Sequence, residues 1–241
     1  MKVDIITIFP QFFEQFITTS IIKRAIEKNA LTINVIDLRQ YAFNKHKSID
    51  DTPYGGGVGM LMAFAPFYEC LKQIKTPDSL VVYLSPQGKV LNQELAVKLS
   101  LTNKHLILLC GHYEGIDQRV LDYVDLELSI GDYVLTGGEI PAMVLIDSIT
   151  RLLPDVITKE SHIEDSFANG LLKYPQYTKP ENYEGHIVPE VLISGHHENI
   201  RQWRLTQSLK KTYQRRPDLI EVKKLTKEEQ TILKKIKESD T

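Results

Sequence analysis

The sequence predicts an α/β protein with a parallel sheet flanked by helices, followed by a small, mainly helical C-terminal region. Three observations predict it. Apolar, β-branched runs alternate with amphipathic helical patterns as far as Leu153. The interval 154–189 is rich in Pro, Tyr, Asn and Gly and loses periodicity, and helical periodicity returns after it. The length, 241 residues, suits one large domain plus a small one.

In chain order, Lys2–Phe9 is β-branched and apolar and reads as a buried strand ended by Pro10. Phe12–Asn29 carries Phe13, Phe16, Ile21, Ile22 and Ile26 at helical spacing. Leu31–Leu38 alternates as a strand, and residues 39–60 form a long polar loop of a length that is usually functional or disordered. Phe64–Lys75 is a helix, Leu80–Leu84 a strand, and Asn92–Leu101 a helix with Asn92 as N-cap. His105–Cys110 is a strand, Ile116–Val124 a helix, Asp125–Ile130 a short strand and Ile140–Leu153 a helix. Helices are expected again at His197–Tyr213 and Lys227–Lys237. This gives a domain over residues 1–156, a flexible linker over 157–168 and a helical domain over 169–241.

Apolar residues make up 42% of the chain and charged residues 25%, so a sizeable core can be buried and global disorder is excluded. The net charge of −2 gives no overall basic signature, so any nucleic-acid site must come from uneven charge. Leu121–Thr150 holds six acids (Asp122, Asp125, Glu127, Asp132, Glu139, Asp147) and no Lys or Arg. Gly195–Arg216 holds six bases (Arg201, Arg204, Lys210, Lys211, Arg215, Arg216) against Glu198. The first suits a cationic small molecule and the second phosphate, although solvated helix faces would give the same counts. Cys70 and Cys110 lie in apolar runs and read as core thiols of a reducing compartment. No apolar stretch approaches the ~20 residues that span a bilayer, and the N-terminus reads as a strand rather than a signal peptide. A cytoplasmic protein without membrane contact is expected.

Four segments join glycines or polar turns to strand ends: Tyr54–Met60, Leu84–Gly88, Cys110–Gly115 and Ile130–Glu139. Ligands of open α/β sheets bind beyond the carboxyl ends of strands, and glycine there lets backbone amides and carbonyls come close. One such segment is ordinary turn geometry; three at successive strand ends point to a shared pocket. Neither the P-loop pattern nor the dinucleotide fingerprint is present. Lys89 and Arg119 are the only cations nearby, which favours a phosphate-free, cationic nucleoside. S-adenosylmethionine fits, since Glu114 or Asp132 would tolerate its sulfonium. No metal site is expected: His196 and His197 diverge on a helix, and Cys110 with His112 is too little for zinc.

The segments DDTPYGGGVGMLM (50–62), YLSPQGKVL (83–91), LCGHYEGID (109–117), SIGDYVLTGGEIPAMVLIDSITRLLP (129–154), EDSFANGLL (164–172) and SGHHENIRQWRLTQSLKKTYQRRPDL (194–219) run over most of the chain. Together they resemble the bacterial tRNA (guanine(37)-N1)-methyltransferases, of the SPOUT class of S-adenosylmethionine-dependent enzymes. The resemblance implies a deep trefoil knot in the first domain, tRNA binding by the C-terminal domain, and a homodimer with an active site shared between subunits. It places the cofactor on three loops. The first comprises Tyr83, Leu84, Ser85, Pro86 and Gln87, and the second Gly111, Tyr113, Glu114 and Gly115. The third supplies Ile130, Gly131, Tyr133, Leu135, Thr136, Gly137, Gly138 and Pro141.

By the same resemblance, Asp50 and Gly59 contact the guanine, Asp165 is the catalytic base and Arg151 assists it. Arg201, Arg204, Arg215 and Arg216 would hold RNA phosphates. The residue chemistry suits those roles: guanine N1 must lose its proton before it can attack a methyl group, and the charge then moves onto O6. By position alone, Asp165 would be a helix N-cap and Arg151 a helix C-terminal cation. The resemblance also implies magnesium, for which no ligand constellation stands out. One departure is Lys173-Tyr174, where many relatives carry an acid followed by Cys or a similar residue. Two other readings stay open at this stage: a methyltransferase of the same fold acting on ribosomal RNA, and a noncatalytic RNA-binding protein.

Overall fold

The computed structural model describes residues 1–43, 46–102, 104–157 and 164–239. Residues 158–163 of the expected linker, and 44–45 of the long loop, lie outside the described residues. The chain divides into two compact units, Met1–Thr158 and Lys159–Thr241.

The first unit is built on a five-stranded parallel sheet. Its strands are β1 (Lys2–Thr7), β2 (Thr32–Asp37), β5 (Ser79–Val90), β6 (His105–Cys110) and β7 (Leu126–Ser129), in the order β2-β1-β6-β5-β7. A two-stranded antiparallel pair, β3 (Asp50–Asp51) and β4 (Leu61–Met62), lies within the long glycine-rich segment. The helices are α1 (Glu14–Ile17), α2 (Ser20–Glu27), α3 (Phe64–Ile74), α4 (Gln93–Thr102) and α5 (Glu139–Thr150).

The near-continuous apolar runs of the central strands are those of a sheet covered on both faces. Successive residues alternate between two cores. Val3, Ile5, Val82, Leu84, Leu106 and Leu108 join one cluster, with Ile22 and Ala25 of α2, Leu95, Ala96 and Leu99 of α4, and Ala142, Leu145, Ile146 and Ile149 of α5. Ile6, Val81, Tyr83, Ile107 and Leu109 face the other side, against Phe67, Cys70 and Leu71 of α3. Both cysteines are free and buried, as their apolar surroundings in the sequence led us to expect.

A line of polar side chains crosses the amino-terminal ends of the strands. Asn34 Nδ2 donates to Asp4 Oδ1 at 2.7 Å, His105 Nε2 lies 2.8 Å from Asp4 Oδ2, and His105 Nδ1 lies 2.8 Å from Ser79 Oγ. Lys2 Nζ pairs with the same carboxylate at 2.8 Å. Burial is the largest influence on Asp4 and by itself would raise its pKa; the bonds from Lys2, Asn34 and His105 outweigh it, and the net shift is downward.

Several elements differ from the sequence expectation. The helix expected at Phe12–Asn29 is a 3-10 turn, Pro10–Phe13, followed by α1 and α2. The Thr18 and Thr19 hydroxyls donate back to the Glu14 and Gln15 carbonyls at 2.8 and 2.6 Å, competing with helix continuation. Ser20 follows with φ +51°. The helix expected at Ile116–Val124 is a 3-10 stretch, Gln118–Tyr123, opened by Asp117, whose carboxylate accepts from the Arg119 amide at 2.9 Å. Strand β5 does not turn at Leu84–Gly88; it runs on to Val90, and its register against β7 shifts between Leu84 and Lys89. Asn92 does cap α4, accepting from the Leu95 amide at 2.9 Å.

The second unit is mainly helical. Helices α6 (His197–Arg215), α7 (Pro217–Val222) and α8 (Lys227–Ser239) enclose a small core of Leu171, Leu209 and Ile236, with Leu205, Tyr213, Ile220, Leu225 and Ile232 packed around it. Residues 164–193 form turns and one short hairpin, β8 (Asn182–Tyr183) with β9 (His186–Ile187).

Candidate active site

In the first unit, a cavity of ≈ 270 Å³ opens beyond the carboxyl ends of β6 and β7 and beside the irregular middle of β5. Three segments of chain wall it. The irregular half of β5 contributes Tyr83, Leu84, Ser85, Pro86 and Gln87; Ser85 Oγ accepts the Gln87 amide at 3.1 Å and bends that segment toward the opening. The loop after β6 contributes Gly111, Tyr113, Glu114 and Gly115. The segment after β7 contributes Ile130, Gly131, Tyr133, Leu135, Thr136, Gly137 and Gly138, and Pro141 follows from α5. All the side chains and glycines assigned to the cofactor from the sequence therefore line one cavity.

The walls are tied together by backbone bonds. Gly138 N–H donates to Gly111 O at 2.8 Å, and His112 bridges to Gly137. Gly88 lies so close to β7 that a Cβ there would meet the Glu127 carbonyl carbon at 2.3 Å. A Cβ on Gly138 would meet Cys110 Cα at 2.7 Å, and one on Gly111 would meet the Tyr83 ring at 3.1 Å. At Gly88 and Gly138 the neighbour is backbone and close approach of protein to protein requires glycine; at Gly111 it is a side chain and the fit is only tight. Tyr113 holds the left-handed region, φ +57°, a conformation side-chain-bearing residues seldom adopt without support. The support is nearby: Glu114 N–H donates to Met60 O, Met62 N–H to Gly115 O, and the His112 amide to Met62 Sδ at 3.1 Å.

These bonds also attach the glycine-rich segment 54–60 to the cavity. A Cβ on Gly59 would meet Glu114 Oε1 at 2.5 Å, so Gly59 sits directly against that carboxylate. Asp50 pairs with Met62 in the β3–β4 ladder and is half-buried. Glu114 is the only carboxylate lining the cavity, and no Lys or Arg lines it among the described residues. Asp132, named with Glu114 from the sequence, is not among the lining residues. Burial raises the pKa of the Tyr83 phenol, as does the charge of Glu127, against a backbone hydrogen bond from Ile116.

Sequence reasoning missed His112 and Glu139. His112 lines the cavity, while its Nδ1 is buried without a hydrogen-bond partner and lies 3.9 Å from Glu139 Oε2. Glu139 is 3% exposed at the first turn of α5 and accepts from Thr7 Oγ1 at 2.7 Å. A glutamate at a helix start after two glycines reads as a favourable dipole partner. Only the fold shows that it lies beneath the loop carrying His112.

The family profile described as tRNA (Guanine-1)-methyltransferase TrmD matches residues 1–222. Two similar proteins, both called tRNA (guanine-N(1)-)-methyltransferase, come from Acholeplasma laidlawii, 61% identical, and Aster yellows witches'-broom phytoplasma, 59% identical; each alignment covers 99% of this chain and 98% of the relative. A relative of the same description from Clostridium kluyveri is 53% identical over 97% of this chain and 96% of its own length. The chain belongs to the TrmD family.

The remaining residues expected from the TrmD resemblance fall in both units. Arg151 closes α5, exposed, its amide 3.4 Å from Asp147 O. Asp165 lies in the second unit, about three-quarters buried, with Oδ1 3.1 Å from Lys173 Nζ. Beside it Tyr174 Oη donates to Glu164 Oε2 at 2.6 Å; burial and that bond push the phenol up to about 12. The Arg204 guanidinium stacks 4.9 Å over Tyr174 and approaches Glu164 at 3.8 Å.

Of the four arginines assigned to phosphate, three already meet carboxylates. Arg201 pairs with Glu198 and Glu228 at 2.8 and 2.6 Å, Arg204 with Glu164, and Arg216 with Asp218 at 2.6 Å. Arg215 is exposed at the end of α6. The basic window is therefore less positive than its own composition suggests, because Glu164, Asp218 and Glu228 come from outside it. Trp203 is half-buried with its ring 6.3 Å from Tyr177. Among the described residues no group of three or more His, Cys, Asp or Glu could hold a metal ion, and no helix is long and apolar enough to cross a membrane.

Proposed function

We propose that this chain transfers a methyl group from S-adenosylmethionine to N1 of the guanosine at position 37 of tRNA, immediately 3′ to the anticodon. The observation that carries the reading is the convergence of three chain segments on a cavity at which Glu114 is the only carboxylate, with no Lys or Arg, among the described residues. The residues present fit the cofactor. Backbone groups are brought close by Gly111 and Gly138, apolar surface comes from Leu84, Leu135 and Pro141, and one carboxylate stands where a cation would be tolerated. S-adenosylmethionine, when bound, supplies an activated methyl group on a sulfonium.

The chain's own residues account for the rest. Asp165 accepts the N1 proton of guanine, which frees the lone pair for attack. Arg151 steadies the charge that develops on O6. The segment bearing Asp50 and Gly59 receives the base, an assignment supported by the contact of Gly59 with Glu114. Arg201, Arg204, Arg215 and Arg216 hold phosphates and set register rather than reading bases.

A trefoil knot in the first unit is supported by the close lacing of Gly137 and Gly138 to Gly111 and His112, and of Gly88 to β7. A homodimer whose base and cofactor come from different chains follows from the TrmD resemblance, as does a cytoplasmic location beside the tRNA pool. In the domain scheme, residues 1–156 bind cofactor, 157–168 link and 169–241 bind tRNA.

The test is a single-turnover assay with mass-spectrometric detection of 1-methylguanosine. Asp165→Asn keeps the shape of the side chain but cannot take the proton. It should lower the rate by ~10²–10⁴ while cofactor affinity stays near wild type. A wild-type rate for Asp165→Asn would refute the assignment of the base.

A further inference from the structure

We infer that Lys173 is a positioning residue for the reaction, acting through an ion pair that holds the Asp165 carboxylate ionised and oriented. The inference rests on reading Asp165 as the base. It starts from a cation that stands eight residues after Asp165. The structure places that cation on the base. Lys173 Nζ lies 3.1 Å from Asp165 Oδ1, and the two side chains are 24% and 28% exposed. At that burial the pair is less screened than a surface pair and holds a more defined geometry.

The backbone around Lys173 is fixed independently of its charge. Its amide donates to Ser166 Oγ at 3.0 Å, and its carbonyl accepts from Lys211 Nζ at 3.2 Å. The turn 166–173 is thus closed by a hydrogen bond across its ends, which fixes the point from which the ammonium extends. Among the described residues, the other charged groups lining the same ≈ 530 Å³ cavity are Glu164, bonded to Tyr174 and near Arg204, and His197 and Arg201. Lys173 is a cation in direct contact with the Asp165 carboxylate.

The consequence follows from charge. An ammonium in contact favours the ionised form of the carboxylate and holds its direction. Removing the ammonium must therefore raise the carboxyl pKa, and must also free the side chain to rotate away from its working direction.

Two measurements on the full-length protein test this. Carbon-detected NMR of labelled aspartate carboxyls, with Asp165→Asn assigning the resonance, should show the Asp165 midpoint about one pH unit higher in Lys173→Met than in wild type. Lys173→Gln should give the same shift if the methionine variant folds poorly, and Lys173→Arg should restore the wild-type midpoint. In single turnover at saturating tRNA, Lys173→Met should be slower by about tenfold with unchanged cofactor affinity, and Lys173→Arg should recover most of the rate. An unmoved midpoint in the neutral variants would overturn the pairing. A raised midpoint with a wild-type rate would overturn the positioning role. Either failure differs from that of the parent reading, which falls only if Asp165→Asn itself turns over normally.

Discussion

At the scale of the residue, the molecule places its carboxylates in contrasting settings. Asp4 is 1% exposed and serves the sheet: its two oxygens join β1 to β2 through Asn34 and to β6 through His105. Its folded pKa is lowered, so its contribution to stability is present above the unfolded value near 3.8 and is lost as the pH falls through the folded value. Asp4→Ala leaves the buried His105 without that partner and should cost about 2–4 kcal/mol at pH 7. Denaturant unfolding should show the gap between wild type and variant narrowing below about pH 4. A gap that persists undiminished at pH 3 would mean that packing, not the ionised carboxylate, sets the cost. None of this was legible in the sequence, where Asp4 is an isolated acid in an apolar strand; the partners lie 30 and 101 residues away.

At the scale of the element, the sheet was legible because its central strands, covered on both faces, are continuous apolar runs, while β2 shows the alternation of an edge strand. The failures have local causes. Thr18 and Thr19 divide a helix by bonding to its own carbonyls, and a short 3-10 stretch imitates a helical pattern over Gln118–Tyr123. The residues of the cavity were legible as glycine-bearing strand ends, but the reason for the glycines was not. At Gly88 and Gly138 the space a side chain would need is occupied by backbone.

That distinction yields a prediction about α5. Gly138 is its N-cap, and a Cβ there would lie 2.7 Å from Cys110 Cα, which is backbone and cannot rotate away. Gly138→Ala should therefore push the start of α5 off β6, costing about 1–3 kcal/mol in stability and weakening cofactor affinity together. At Gly111 the neighbour is the Tyr83 ring, 3.1 Å away, which needs to give by only a few tenths of an ångström. Gly111→Ala should cost less stability for a comparable loss of cofactor affinity. Calorimetry with S-adenosylhomocysteine beside thermal unfolding separates the two; a Gly138→Ala protein with wild-type melting would show that the helix start is not clamped.

At the scale of the whole molecule, the chemistry is divided: the described cavity and Arg151 belong to the first unit, while Asp165 and the basic helix α6 belong to the second. On the proposed reading a single turnover needs both, and the proposed homodimer supplies them from different chains. This organisation can be tested without a structure of the complex. One variant carries Asp165→Ala, which removes the base; the other carries Gly138→Ala, which impairs the cofactor cavity. Each alone should be nearly inactive. In a mixed dimer with a shared site, one site receives both defects and the other receives neither. Random reassortment makes half the dimers mixed, so activity should return to about a quarter of the wild-type level. If each chain instead completes its own site, every site in every dimer keeps one defect, and mixing restores nothing. Concentration supplies the control: dilution below the dimer dissociation constant before mixing should speed the appearance of activity, because exchange of chains requires dissociation first. Restoration that is absent even after complete exchange, checked by mass spectrometry of differently tagged chains, would place base and cofactor in the same subunit and overturn the shared site.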